Sequence, residues 1–256
     1  MKANPDVTAF DMTAKFLQGP GLRAVLVLTA AAGFALSPLL LPGFGGFEAE
    51  DFPVPQIDPP VVPAGYAFAI WGLIYLWLIV HGAWGLLRHA DDPGWDRTRL
   101  PLIVSLTVGI GWLPVAVTDP LAATVMIWVM LAGALAGLLQ APPGAMWTLG
   151  VPLGLYAGWL TAASSVALAL VGAGYGLGPG QDTWAWIGLA VAASLALAVQ
   201  SRPATPPAYA PAAAWALIAI AVRNGLAPLS AASVLLALLL LATAFRRPLA
   251  RRLQRR

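Results

Sequence analysis

Long apolar runs recur along the chain, free of acidic or basic residues except for Arg23 at the start of the first, and broken by short polar stretches. They fall at roughly 22–41, 64–87, 100–117, 121–139, 145–171, 184–199, 206–222 and 226–245. A helix needs about 20 predominantly apolar residues to cross a bilayer. Eight such runs joined by short connections predict an all-α, polytopic transmembrane bundle of eight helices, with no length left for a soluble domain. The first run is too long for a signal-peptide core and lacks a small-x-small cleavage site, so it reads as a retained helix. Arg223-Asn224-Gly225 interrupts the last apolar stretch. Asn-Gly is a turn signal, which predicts a tight helical hairpin in place of one very long helix.

Charge orients the bundle. With the N-terminus inside, the cytoplasmic segments hold Lys2, Lys15, Arg23, Arg88, Arg97, Arg99, Arg202 and the six arginines after Phe245, and the outer segments hold only Arg223. Thirteen of the 14 basic residues therefore lie inside, which is a strong positive-inside signal. A seven-helix version would export the arginine tail. The outer loop 42–63 carries Glu48, Glu50, Asp51 and Asp58 and no basic residue. The expected organisation is a cytoplasmic or interfacial segment 1–21, a five-helix bundle 22–171, three additional helices 172–245 and a basic cytoplasmic tail 246–256. Within the first segment Val7, Phe10, Ala14 and Leu17 could share one side of a short helix resting at the interface.

Composition agrees. Of the 256 residues, 59% are hydrophobic and 10% charged, against roughly a quarter charged in a soluble domain. The tail reads as an orientation signal on anionic lipid, and no nucleic-acid partner is expected. The chain has no cysteine and two histidines, His81 and His89. That leaves no disulfide, no thiolate site and no metal site of the usual kind. No nucleophile–base pair or phosphate loop is visible, so no enzyme activity is expected.

Tryptophan stands out, with 11 in the chain. Trp84, Trp147, Trp184 and Trp186 lie near predicted helix ends, where an aromatic belt is expected. Trp71, Trp77, Trp112, Trp128, Trp159 and Trp215 lie deeper, where a buried indole N–H needs a partner. At about 100° per residue, Phe68, Trp71, Tyr75 and Gly82 share one face of the second helix. Tyr66, Trp77, His81 and Trp84 share another. On the fifth helix Gly150, Gly154 and Gly158 recur every four residues, extended by Thr161 and Ser165, and form a close-packing face. Leucine at Gly154 is expected to disrupt folding, and leucine at Gly176, in an outer loop, to matter far less. Pro152, Tyr156 and Trp159 fall on the opposite side. These aromatics either pack within the bundle or line a pocket for a flat hydrophobic ligand.

The run Pro63-Ala-Gly-Tyr66-Ala-Phe68-Ala-Ile-Trp71-Gly-Leu-Ile-Tyr75, preceded by Pro59-Pro60, resembles the second-helix signature of the TspO/MBR family of tryptophan-rich sensory and translocator proteins. Trp112-Leu-Pro114 resembles its third-helix segment and Leu155-Tyr156-Ala-Gly-Trp159-Leu-Thr-Ala-Ala its fifth. The three occur in the family's order, over about residues 20–170. The chain departs from the pattern: its aromatic entry on the second helix is about one residue nearer to Trp71, and three further helices follow the family's five. Gly109 stands where the family usually has Asn, Leu155 replaces a proline, and Ala167 replaces a late Asn. The resemblance implies a five-helix bundle with a pocket open toward the outer loop, loop 42–63 being its lid. It implies Phe68, Trp71, Tyr75, Trp112, Pro114, Tyr156 and Trp159 as ligand-binding residues. It also implies a flat hydrophobic ligand such as a porphyrin, haem or other tetrapyrrole, or a sterol-like molecule, with no cofactor required.

Three function classes remain open on sequence: a binding or sensing protein for such a ligand, a transporter of it, and a structural subunit of a larger membrane complex. The last two would bring a transported small molecule, or a homodimer or complex partner. The expected location is the bacterial inner membrane, with both termini in the cytoplasm.

Overall fold

The computed structural model describes residues 19–40, 45–142, 144–203 and 205–253, with side chains to residue 244. The proposed interfacial face from Val7 to Leu17 and the arginine side chains of the tail lie outside the described residues. Eight α-helices follow in order: α1 (Pro20–Leu40), α2 (Ile70–Arg88), α3 (Pro93–Ala116), α4 (Pro120–Gln140), α5 (Val151–Gly174), α6 (Gln181–Gln200), α7 (Tyr209–Asn224) and α8 (Pro228–Leu253). A 3-10 turn, Gly65–Ala69, leads into α2, and a π-helical turn, Met146–Gly150, leads into α5. There is no strand among the described residues. The protein is an all-α, multi-pass integral membrane protein.

Six helical segments are long and apolar enough to cross a bilayer, those containing α1 to α6. The last two helices are shorter in their apolar parts. α7 has 16 residues, a rise of about 24 Å, short of a roughly 30 Å hydrocarbon core. The apolar part of α8, Pro228–Ala244, is also short. α7 tolerates this because protein surrounds much of it: Ala212, Ala213, Ala216, Leu217 and Ile220 are buried.

Helix ends follow local chemistry. Asp92 and Asp119 cap α3 and α4, each ahead of a proline at the first helical position. Asp92 accepts the Gly94 N–H at 2.8 Å, and Asp119 that of Ala122 at 3.0 Å. The Gly94 N–H holds the Asp92 carboxyl below the usual carboxylate range. Between α7 and α8 the chain reverses at Gly225, whose φ of 59° is a conformation that favours glycine. The predicted hairpin is there.

The helices form two rings that share one member. Contacts close the first ring in the order α1–α2–α5–α4–α3, and the second in the order α5–α6–α8–α7. α5 therefore touches protein on both sides. In its most apolar stretch 78% of residues are buried, against 33–44% in the other spans. The glycine stripe explains how α5 does this. A side chain at Gly154 would meet the Tyr209 backbone nitrogen at 3.0 Å, and one at Gly150 would meet Pro206 at 3.3 Å. At Gly158 it would overlap the Tyr209 carbonyl and approach Ala212 at 3.0 Å. The stripe is thus the groove in which α7 begins. A hydroxyl chain locks the seam. Thr161 Oγ1 donates its proton to the Ala157 carbonyl at 2.8 Å, so the Tyr209 hydroxyl, 2.9 Å away, donates to Thr161.

Gly176 departs from the expectation of a tolerant loop glycine. Its φ is 66°, so leucine there is strained even though little crowds the site. Gly72, on α2, has an ordinary helical backbone, and a Cβ added there would find nothing within 4 Å.

Candidate functional site

The loop between α1 and α2 covers the ends of both rings. Described residues 45–63 are tied down at several points. Val54 N–H donates to the Gly174 carbonyl at 2.8 Å. Gln181 Nε2 donates to Ile57 O at 3.1 Å, and Asn224 Nδ2 to Pro60 O at 2.8 Å. Arg223 meets Asp58 at 3.3 Å. Phe52 is 4% exposed and wedges against Gly174. The loop is therefore fastened to α5, α6 and α7.

Beneath it lies a cavity of about 580 Å³, bounded by the loop, by Phe68, Trp112 and Trp159, and by small residues of α5 and α7 such as Ala163, Ala167 and Ala216. A second cavity of about 220 Å³ adjoins it inside the first ring. Phe68, Trp112 and Ile127 line both. The larger one falls in the roughly 300–1,000 Å³ range of small-molecule sites, with the expected mix of apolar walls and few polar groups.

The sequence-predicted residues separate into three groups. Phe68, Trp112 and Trp159 line the large cavity, and Trp71 and Tyr75 line the small one. The two sets touch. Trp71 stacks on Tyr75 at 5.3 Å and meets Trp159 edge-on at 6.1 Å, and Phe68 meets Trp159 at 6.0 Å. Tyr156 is fully buried and lines neither cavity. Its hydroxyl lies 2.9 Å from Ser105 Oγ, and Ser105 gives its own proton to the Met130 carbonyl at 2.6 Å. Tyr156 must then donate to Ser105, and the chain pins α5 to α3 and α4 beneath the cavities. Pro114 lies on an exposed face of α3. It sits two residues from Trp112, about 200° round the helix, and borders neither cavity.

The two aromatic faces of α2 have different neighbours. Phe68, Trp71 and Tyr75 face the interior of the first ring, and Gly82 admits the α1 backbone at Leu28. On the other face Trp77 Nε1 donates to Trp147 O at 2.9 Å. His81, 2% exposed, bonds Thr148 O at 2.8 Å through Nδ1, so Nδ1 carries the proton. Tyr66 meets Trp215 on α7 at 5.4 Å. Trp184 is more than a belt residue, because its ring lies flat against Gly172 and its N–H bonds Leu177 O at 3.0 Å. Trp186 is 45% exposed, as a belt position should be.

Two groups escape a reading of the sequence. Phe34 on α1 contacts Trp71, Tyr75 and Tyr156 at 5.6, 5.1 and 5.9 Å. Its ring packs on Gly109, the position at which the TspO/MBR pattern has Asn. Phe34 is the one aromatic in run 22–41, and that is the available signal. Gln56, in the loop, lines the large cavity although only 6% of it is exposed. Among the described residues no group of three or more His, Asp or Glu is placed to hold a metal ion.

Comparison with known proteins places this geometry. Residues 54–246 match the family described as TSPO-like protein. The match takes in α2 to α7 and the apolar part of α8, so it runs across both rings. No curated protein and no solved structure matches the chain. With three quarters of its length matched, and with the tryptophan-bearing helices gathered around a lidded cavity, the chain belongs to the TSPO-like protein family.

Proposed function

We propose that this protein binds or senses a flat hydrophobic ligand, of tetrapyrrole or sterol-like form, in the cavity beneath the outer loop. One observation carries the reading. A cavity of about 580 Å³ lies beneath the tied-down loop, and three aromatic side chains, Phe68, Trp112 and Trp159, line it. Aromatic walls of this kind suit a planar hydrophobic guest.

Binding is tested by titration in detergent with protoporphyrin IX dimethyl ester, a flat tetrapyrrole without free carboxylates, read by its Soret shift and by tryptophan quenching. Each aromatic should contribute on the order of 1 kcal/mol. Trp71→Phe/Trp159→Phe is expected to bind roughly tenfold more weakly. Trp186→Phe should bind like the parent. If the double variant binds as tightly as the parent, or the parent binds no flat ligand, the structural-subunit reading takes this one's place.

The proposed orientation puts both termini in the cytoplasm of a bacterial inner membrane and the lid outside. It rests on the distribution of basic residues. An alkaline phosphatase fused after Arg256 should be inactive and one inserted in loop 42–63 active; the reverse pattern would overturn the orientation.

A further inference from the structure

The small cavity inside the first ring has a different wall from the large one. No charged side chain lines it among the described residues. Its polar side-chain groups are the hydroxyls of Ser37 and Tyr75 and the indole N–H groups of Trp71 and Trp112. Two of the four are committed. Trp112 Nε1 donates to the Ala123 carbonyl at 2.9 Å, and Ser37 Oγ donates to the Phe34 carbonyl at 2.8 Å. The Trp71 N–H and the Tyr75 hydroxyl have no hydrogen-bond partner among the described residues, and neither is sealed in packing as the Trp128 and Trp159 N–H groups are. They sit one turn apart on α2, on rings stacked at 5.3 Å. One wall of the small cavity therefore carries two neighbouring donors that the protein leaves unused, at a depth where lipid tails offer no acceptor. Size is the second constraint. At about 220 Å³ this cavity is smaller than a whole small-molecule site, and it shares Phe68, Trp112 and Ile127 with the large one. It suits a side arm of a guest whose ring system lies next door.

We infer that the ligand has two parts: a flat body in the large cavity, and a short uncharged arm that passes Phe68 and Trp112 into the small cavity and ends in a hydrogen-bond acceptor, taken by the Tyr75 hydroxyl and the Trp71 indole. The inference rests on the flat-ligand reading and narrows it to a class, ring systems bearing a slender arm with a ketone, ester or amide carbonyl. A carbonyl oxygen has two lone pairs and can accept from both donors at once. An ionised end is disfavoured in the same place, because no cation lines the cavity to offset the loss of water. Tyr75 and Trp71 thus select the end of the arm, while the aromatics of the large cavity hold the body.

The test uses four probes on one flat ring system: pyrene, 1-pentylpyrene, methyl 1-pyrenebutanoate and 1-pyrenebutanoate. Each is titrated into the full-length protein in a non-ionic detergent and read by energy transfer from tryptophan, with partition into protein-free micelles measured for each probe. The parent should bind the ester roughly tenfold more tightly than the butanoate. In Tyr75→Phe the preference for the ester over pentylpyrene should fall roughly fivefold, the effect of one lost neutral hydrogen bond. Trp71→Phe/Tyr75→Phe should lower it further. Leu113→Phe, on the wall of the small cavity and not of the large one, should lower the preference of both neutral armed probes over pyrene. An ester preference unchanged in Tyr75→Phe, a loss shared alike by all four probes, or a butanoate bound as tightly as the ester overturns the inference while the large-cavity reading stands. If no probe binds the parent, pyrene included, the flat-ligand reading falls, and this inference with it.

Discussion

Gly158→Leu is expected to yield no stable folded protein, whereas Gly72→Leu should accumulate and melt like the parent. Both substitutions place the same apolar side chain in a transmembrane helix, so hydropathy and helix propensity change alike. The difference is in what the new Cβ meets. At Gly72 nothing lies within 4 Å. At Gly158 the carbonyl of Tyr209 occupies the space, and backbone cannot rotate away as a flexible side-chain tip can. Overpacking by a few methylenes costs about 1–3 kcal/mol when side chains alone adjust, and here α7 itself has to shift. Its displacement would strain the Tyr209–Thr161 hydrogen bond and the bond from Trp215 Nε1 to Ala67 O, 2.9 Å long, which ties α7 to the turn before α2. Gly158→Ala should give a smaller loss of the same kind, since Ala212 would lie 3.0 Å from the added methyl. The measurements are membrane yield and the thermal midpoint in mild detergent. Equal values for the Gly72 and Gly158 leucine variants would show that α7 does not rest in the glycine groove.

That groove also shows what periodicity can and cannot deliver. Glycines four residues apart announce that some backbone approaches α5 closely, but the spacing does not say which one, and it is that of α7, more than 50 residues on in the case of Gly154 and Tyr209. Helical angles likewise group Tyr156 with Trp159, correctly as azimuth. They carry no information on what stands opposite at each depth. One turn away from the lid, Tyr156 finds Ser105 and becomes part of the floor, while Trp159 borders the cavity. Pro114 enters through the family resemblance; the angle between it and Trp112 already sets it on another face. Trp184 reads as belt from its place near a helix end, and the Gly172 that receives its ring is not visible without the fold. Gln56 is illegible for a different reason. A glutamine in a polar loop looks solvated, and only the descent of the loop over the helix ends buries it.

Arg99→Met is expected to destabilise the protein by about 3–5 kcal/mol, the usual cost of removing one member of a buried charged network, while Arg97→Met should be close to neutral. Both remove one positive charge from the same end of the bundle, so an orientation-signal account predicts equal losses. The structure separates them. Arg97 is exposed. Arg99 is 2% exposed, and its guanidinium donates to Pro20 O at 2.9 Å, to Ala90 O at 2.6 Å and to His89 O at 2.5 Å. These carbonyls lie at the start of α1 and just past the C-terminal end of α2, whose final acceptors have no helical donor. Asp96 completes the cluster. It lies 3.4 Å from Arg99 and accepts from Nε and Nη2 of Arg23 at 2.9 and 2.6 Å. One arginine thus ties together the start of α1, the end of α2 and the start of α3, opposite the lid. Arg99→Lys should recover only part of the loss, because one ammonium cannot reach carbonyls spread around a planar fork. Thermal unfolding in detergent of the three variants decides the matter. A shared small shift for Arg97→Met and Arg99→Met would assign Arg99 to topology alone; a large shift confined to Arg99, partly rescued by lysine, is the outcome this geometry requires.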